Sequence, residues 1–207
     1  DEVQEVPSFE KVVDSLSIKD QVDIYITGSN AYMLSSELAT LLSGRYTEIK
    51  MLPFSFREYI AETGLPKEEA FAEFMKTGGI PYVAAMNRTD EKVDQYLEGI
   101  YNTVIVKDIE QRQLRKEKEG NTRKITDIAL LKNIARYLAS VIGSPVSMKS
   151  ITNYLTSSGR KISQNTVSDY VDALKESFIF YSVERFDIVG KQLLKINNKL
   201  YMVDMGI

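Results

Sequence analysis

Apolar positions change their period several times along the chain. Phe9, Val12, Val13 and Leu16 follow Pro7 and Ser8 at the spacing of one helical face, which predicts a short helix to about Leu16. Val22-Asp23-Ile24-Tyr25-Ile26-Thr27 is short, β-branched and stopped by Gly28, which predicts a buried strand of a parallel sheet. From Asn30, the residues Ala31, Leu34, Leu38, Leu41 and Leu42 return to helical spacing until Gly44. Residues 46–51 then alternate in polarity like a strand with one wet face, and Pro53 ends the run. Helix, strand, helix, strand in this order is half of an α/β layer.

The middle of the chain is helical. Ser55 and Glu58 have the spacing of a capping box, and a second helix is expected between Pro66 and Gly78-Gly79-Ile80-Pro81. A third starts near Asp90, with Val93, Leu97, Ile100 and Val104 on one stripe. Residues 112–124 are dense in charge and poor in apolar side chains, as a linker would be. Helical stripes then resume at Ile128, Leu131, Ile134 and Leu138, at Met148, Ile151 and Leu155, and at Val167, Val171, Leu174 and Phe178. Ser147 and Ser163 stand where N-caps of the last two would stand. Strand-like runs follow at residues 179–186 and 192–196, with Gly190 in the turn between them. Three short helices followed by a β-ribbon is the order of a winged helix-turn-helix.

Composition narrows the chemistry. Among 207 residues there is no Cys, His or Trp, so disulfides, thiolate or imidazole metal sites and Cys or His catalysis are excluded. Carboxylates, hydroxyls, Lys and Arg remain. A 43% hydrophobic and 27% charged chain is that of a folded protein, and a net charge of −3 argues against an overall basic nucleic-acid coat. No run approaches the roughly 18 apolar residues of a membrane span, and no signal-peptide pattern opens the chain, so the expected location is cytoplasmic with no membrane partner.

Three constellations have chemical content. Asp1 and Glu2 are adjacent carboxylates, which can divide the work of phosphoryl transfer between holding hydrated Mg²⁺ and orienting water; the plainer reading is an acidic surface turn. In Thr27-Gly28-Ser29-Asn30 a hydroxyl and an amide stand between a strand and a helix, where they can bond a γ-phosphate or its water, or simply cap the helix. Arg45, just past that helix, is either a solvated surface charge or a cation for a phosphate at a subunit interface.

The ordered set Asp1-Glu2-Val3-Gln4, Ile26-Thr27-Gly28-Ser29-Asn30, Leu42-Ser43-Gly44-Arg45-Tyr46 and Leu52-Pro53-Phe54-Ser55-Phe56-Arg57-Glu58 resembles the second half of a prokaryotic AAA+ ATPase core. Gly78-Gly79-Ile80-Pro81-Tyr82 and residues 199–206 resemble the uncharacterised C-terminal region that follows it in such proteins. The resemblance implies that Asp1 and Glu2 match the Walker B acids, with Asp1 at the metal and Glu2 activating water. It puts Ser29 and Asn30 at the sensor-1 position and Arg45 at an arginine finger. The phosphate-cradling G-x-x-x-x-G-K-[ST] of this family is absent from the sequence, and truncation upstream of Asp1 is the expected reason. ATP and Mg are therefore expected in the intact parent, with none bound to this chain alone, and the parent is expected to self-associate. The expected fold is an α/β remnant, the distal half of a P-loop AAA+ core, over residues 1–54. A helical segment and linker follow over 55–123, and an α+β winged-helix domain over 124–207.

The winged-helix reading leaves its partner open between DNA and protein. Gln164 and Asn165 on the third helix could read base edges, and Arg160, Lys161 and, on the wing, Lys191 could hold phosphates. Asp169, Asp172 and Glu176 on the same helix oppose a phosphate backbone. The expected function is thus the C-terminal portion of an ATPase that couples ATP hydrolysis to a partner held by its winged helix. The alternative is a DNA-binding regulator or adaptor in which the α/β part is only a scaffold.

Overall fold

The structure, a computed structural model, describes residues 3, 6–19, 21–27, 45–86, 90–103, 109, 125, 127–184 and 198–207. The chain divides into two compact units, Asp1–Met51 and Leu52–Ile207.

In the first unit, helix α1 (Phe9–Ser17) extends one residue beyond the apolar stripe that predicts it. Phe9 is its buried residue, packed by Val3, Val13 and Ile26. The Val3 N–H donates to the Thr27 carbonyl at 3.0 Å, which fastens residues 22–27 beside the start of the chain. That segment joins no ladder among the described residues, and Tyr25 is 83% exposed. The expected burial of this strand therefore does not hold. Burial on both faces needs neighbouring strands and covering helices, and the described part of the unit supplies only α1. Residues 46–51 likewise join no ladder among the described residues, and Ile49 and Met51 are exposed. The helix expected after Asn30 lies outside the described residues.

The second unit is built from the sequence signals in order. Helix α2 (Phe56–Thr63) begins with the Ser55–Glu58 capping box and ends at Gly64, whose φ of 64° supplies the left-handed stop. Helix α3 (Lys67–Thr77) ends at Gly78, and α4 (Pro81–Ala85) starts directly after the glycine turn with proline in its first position. Tyr59, Ala70 and Ala84 form a small core under Phe54, Phe56 and Phe74. Helix α5 (Asp90–Asn102) closes a neighbouring cluster through Val93 and Leu97, which meet Val83. Val104, expected on the same stripe, lies outside the described residues, as do the linker residues 112–124.

The largest core belongs to α6 (Ile128–Ser140), α7 (Met148–Ser157) and α8 (Gln164–Glu176), with Leu131, Ile134, Leu138, Ile151, Leu155, Val167, Val171 and Leu174 all buried. Ser147 and Ser163 cap α7 and α8 by accepting from the backbone N–H groups of Ser150 and Thr166. Phe178 departs from the expected stripe. Its φ of 60° turns the chain out of α8, leaving its ring half exposed and sending Ile179 and Phe180 into the core instead.

Strand β1 (Phe180–Val183) pairs antiparallel with β2 (Lys199–Met202), Tyr181 opposite Tyr201. Residues 192–196, the other expected strand-like run, lie outside the described residues; the described partner of β1 is 199–202. Leu200 explains the register: it is buried facing the helices, and a shift of one residue would turn it outward. Residues 143–146 run along the other edge of β2, through Gly143 N–H to Leu200 O at 3.2 Å and Val146 N–H to Asn198 O at 3.1 Å. Among the described residues no helix is long and apolar enough to cross a membrane.

Candidate functional site

Two glycine-bearing motifs far apart in the chain close on one carboxylate. The Gly79 N–H donates to Asp204 Oδ2 at 2.6 Å and the Gly206 N–H to Asp204 Oδ1 at 2.7 Å. Asp204 is only 6% exposed, so both bonds form out of water, where a hydrogen bond is electrostatically stronger. The Gly79 carbonyl in turn accepts from the Phe54 N–H at 2.7 Å. A chain of hydrogen bonds thus runs from Phe54 through Gly79 and Asp204 to Gly206.

The glycines are there because nothing else fits. Gly78 has φ +74°, and a Cβ on it would stand 1.8 Å from Asp204 Oδ1. On Gly79 it would stand 2.2 Å from the Phe54 carbonyl oxygen, and on Gly206 2.2 Å from that of Thr77. Each carboxylate oxygen of Asp204 accepts from a backbone donor, so the side chain fastens the two glycine motifs together. The sequence places a sharp turn at Gly78-Gly79 and likens both motifs to one C-terminal region, but nothing local in it joins them through Asp204.

The exposed surface of α8 carries the residues expected to meet a partner. Gln164 and Asn165 are exposed in its first turn, and Lys161 is exposed just before it. Farther along, Ser168 and Lys175 both bond Asp172, the latter at 3.2 Å. Arg160 is placed differently from its expected role. Its guanidinium pairs with Asp127 Oδ2 at 2.8 Å, and Asp127 also caps α6 by accepting from the Leu130 N–H. The Asp127 N–H donates to the Tyr170 hydroxyl at 3.2 Å. Arg160 therefore ties the turn before α8 to the start of α6, a structural use that a free phosphate contact would have to disrupt. Lys191 lies outside the described residues.

Of the residues expected at a nucleotide, Asp1, Glu2, Ser29 and Asn30 lie outside the described residues. Arg45 is described. It pairs with Asp14 of α1, both side chains half or more exposed.

Two family descriptions match the chain. An AAA domain matches residues 1–60, and a domain of unknown function (DUF8612) matches residues 68–207. An uncharacterized protein of Haemophilus influenzae is 38% identical over 213 residues, covering 100% of this chain and 50% of that protein. An uncharacterized protein of Methanocaldococcus jannaschii is 27% identical over 219 residues, covering 99% of this chain and 46% of that protein. The chain spans about half the length of these relatives. No solved structure matches. The likeness to an AAA domain relates the first sixty residues to the AAA-type ATPases. The DUF8612 match takes in Gly78, Gly79, Asp204 and Gly206 together. With the greater part of its length inside that description, the chain belongs to the DUF8612 family.

Proposed function

We propose that the chain is the distal part of an AAA-type ATPase, coupling ATP hydrolysis to a partner held by a winged helix formed by α6, α7, α8 and the ribbon. The observation that carries this reading is an overlap. The AAA match runs to residue 60, while the second compact unit begins at Leu52. Residues 52–60 therefore belong to the AAA-matching segment and to the folded body of the C-terminal unit at once.

In this reading Asp1 holds Mg²⁺, Glu2 orients the attacking water, and Ser29 or Asn30 senses the γ-phosphate. Arg45 serves the nucleotide of a neighbouring copy. Its pairing with Asp14 does not oppose this, because an exposed ion pair is worth at most about 1 kcal/mol and yields readily to a phosphate. The exposed face of α8 favours a protein partner over DNA, since Arg160 is engaged by Asp127 and Asp172 stands on that face. The second reading, a DNA-binding adaptor, draws on Lys161, Gln164 and Asn165, which are exposed together at the start of α8.

Steady-state turnover of Mg-ATP by the complete gene product tests the proposal. Glu2→Gln should abolish turnover while nucleotide binding persists. Turnover unchanged by that substitution would remove the ATPase assignment.

A further inference from the structure

We propose that Asp204 is a positioning residue, a buried latch that makes residues 52–54, the Gly78–Gly79 turn and the end of the ribbon open and close as one element. The argument rests on how the bonds are arranged. Phe54 N–H is held by the carbonyl of the same Gly79 whose N–H is held by Asp204. Donor and acceptor of one residue therefore serve two different segments, and loss of either frees the other.

Steric fit closes the element further. The spaces left by the missing side chains of Gly78, Gly79 and Gly206 are taken by Asp204, Phe54 and Thr77 respectively. None of these contacts can shift without moving its neighbours. The ribbon end is tied in by Val203 N–H, which donates to the Ile179 carbonyl at 3.0 Å directly beside Asp204. Every donor in the network is a main-chain N–H, and the one side chain in it, Asp204, is held at both of its carboxylate oxygens. Such a unit has its own opening free energy, distinct from that of the helical core.

The latch ties the last part of the AAA-matching segment to the last residues of the chain, across the whole C-terminal unit. It stands whether or not the protein hydrolyses ATP. Its consequence for the ATPase reading is that residues 52–54 cannot be displaced without releasing the Asp204 carboxylate.

Residue-resolved amide hydrogen exchange on this chain tests the proposal. Asp204→Asn keeps the shape but turns a donor toward one of the two N–H groups. Exchange of the Gly79, Gly206 and Phe54 amides should accelerate together by about tenfold or more, while the Leu131 and Ile134 amides in α6 keep their protection. Acceleration at Gly79 and Gly206 with Phe54 unchanged would overturn the latch. Should Asp204→Asn fail to fold, the wild-type chain decides. Its Gly79, Gly206 and Phe54 amides should share one denaturant dependence of exchange, and separate dependences would overturn it. A shared opening in a complete protein that turns over no ATP would remove the ATPase reading and leave the latch. Active turnover with an uncoupled Phe54 would do the reverse.

Discussion

Gly79 and Asp204, 125 positions apart in the sequence, meet through a 2.6 Å bond from a backbone N–H to a buried carboxylate. This contact makes one body of the helices that begin at residue 56 and the ribbon that ends the chain. The same carboxylate explains Gly78, while Gly79 and Gly206 are required by the close approach of the Phe54 and Thr77 carbonyls.

The clearest mutational contrast follows from those glycines. Gly79→Ala or Gly206→Ala sets a Cβ 2.2 Å from a backbone carbonyl oxygen, so backbone must move, and each should cost about 3 kcal/mol or more. Gly64 is the control: its φ is +64° but nothing lies within 4 Å, so Gly64→Ala should cost only the left-handed strain, about 1–2 kcal/mol. Urea unfolding of the three variants checks the order.

Core substitutions should separate the two units. Leu131 and Leu174 are completely buried in the three-helix core, and truncation of either to Ala should cost about 2–5 kcal/mol. Val12 in α1 is exposed, and Val12→Ala should stay within about 0.5 kcal/mol. Thermal melts of the three variants provide the comparison.

Much of the second unit was legible because its signals are local. Ser55 with Glu58, Pro66 before α3, and Ser147 and Ser163 at their helices each satisfy backbone donors or set a dihedral within a few residues, and the stripes at 131, 134 and 138 need only one helix to be recognised. What was not legible depends on distant partners. Residues 22–27 have the composition of a buried strand, but burial is set by neighbours the local pattern does not contain. The pairing of Phe180–Val183 with Lys199–Met202 was not legible because both segments are short and mixed in polarity, and the burial of Leu200 in the helical core, which fixes the register, is not a local signal. Arg160 resembles a phosphate contact until Asp127, thirty-three positions earlier, takes its guanidinium. The Asp204 latch likewise has no local signature beyond its glycines.

Acid should loosen the start of α2 first. The Ser55 hydroxyl and the Ser55 N–H both donate to the Glu58 carboxylate, at 2.7 and 2.8 Å, and hold its pKa below the ordinary carboxylate value. A folded pKa below the unfolded one means that the stabilisation is complete above the unfolded value. It is lost as pH falls through that value to the folded one. Amide exchange at the start of α2 should therefore speed up as pH is lowered from about 6 to about 3, after correction for intrinsic rates. Glu58→Gln should flatten this dependence. An equal dependence in that variant would show that another group is responsible.

At α8, Arg160→Ala and Lys161→Ala should behave differently although the residues are adjacent. Arg160→Ala leaves Asp127 without its partner and should lower stability by up to about 1 kcal/mol, since the pair is partly exposed. Lys161→Ala should leave stability unchanged. If duplex DNA is bound at all, Lys161→Ala should weaken it on every sequence and reduce its salt dependence. Fluorescence anisotropy at two salt concentrations reads this, and tight binding indifferent to salt would favour the adaptor reading.

The central claim, an ATPase whose Glu2 and Arg45 act on the same nucleotide from different subunits, is met most directly by mixing inactive variants of the complete gene product. Glu2→Gln should stop hydrolysis through the water of its own subunit. Arg45→Ala should cut turnover by about a thousandfold or more by removing charge from a neighbour's γ-phosphate, with nucleotide affinity little changed. Co-assembled in one solution, the two variants should recover part of the activity, because some interfaces then join an intact Glu2 site to an intact Arg45. Co-assembly demonstrated by sedimentation with no return of ATP turnover would contradict the account and leave Arg45 as the surface partner of Asp14.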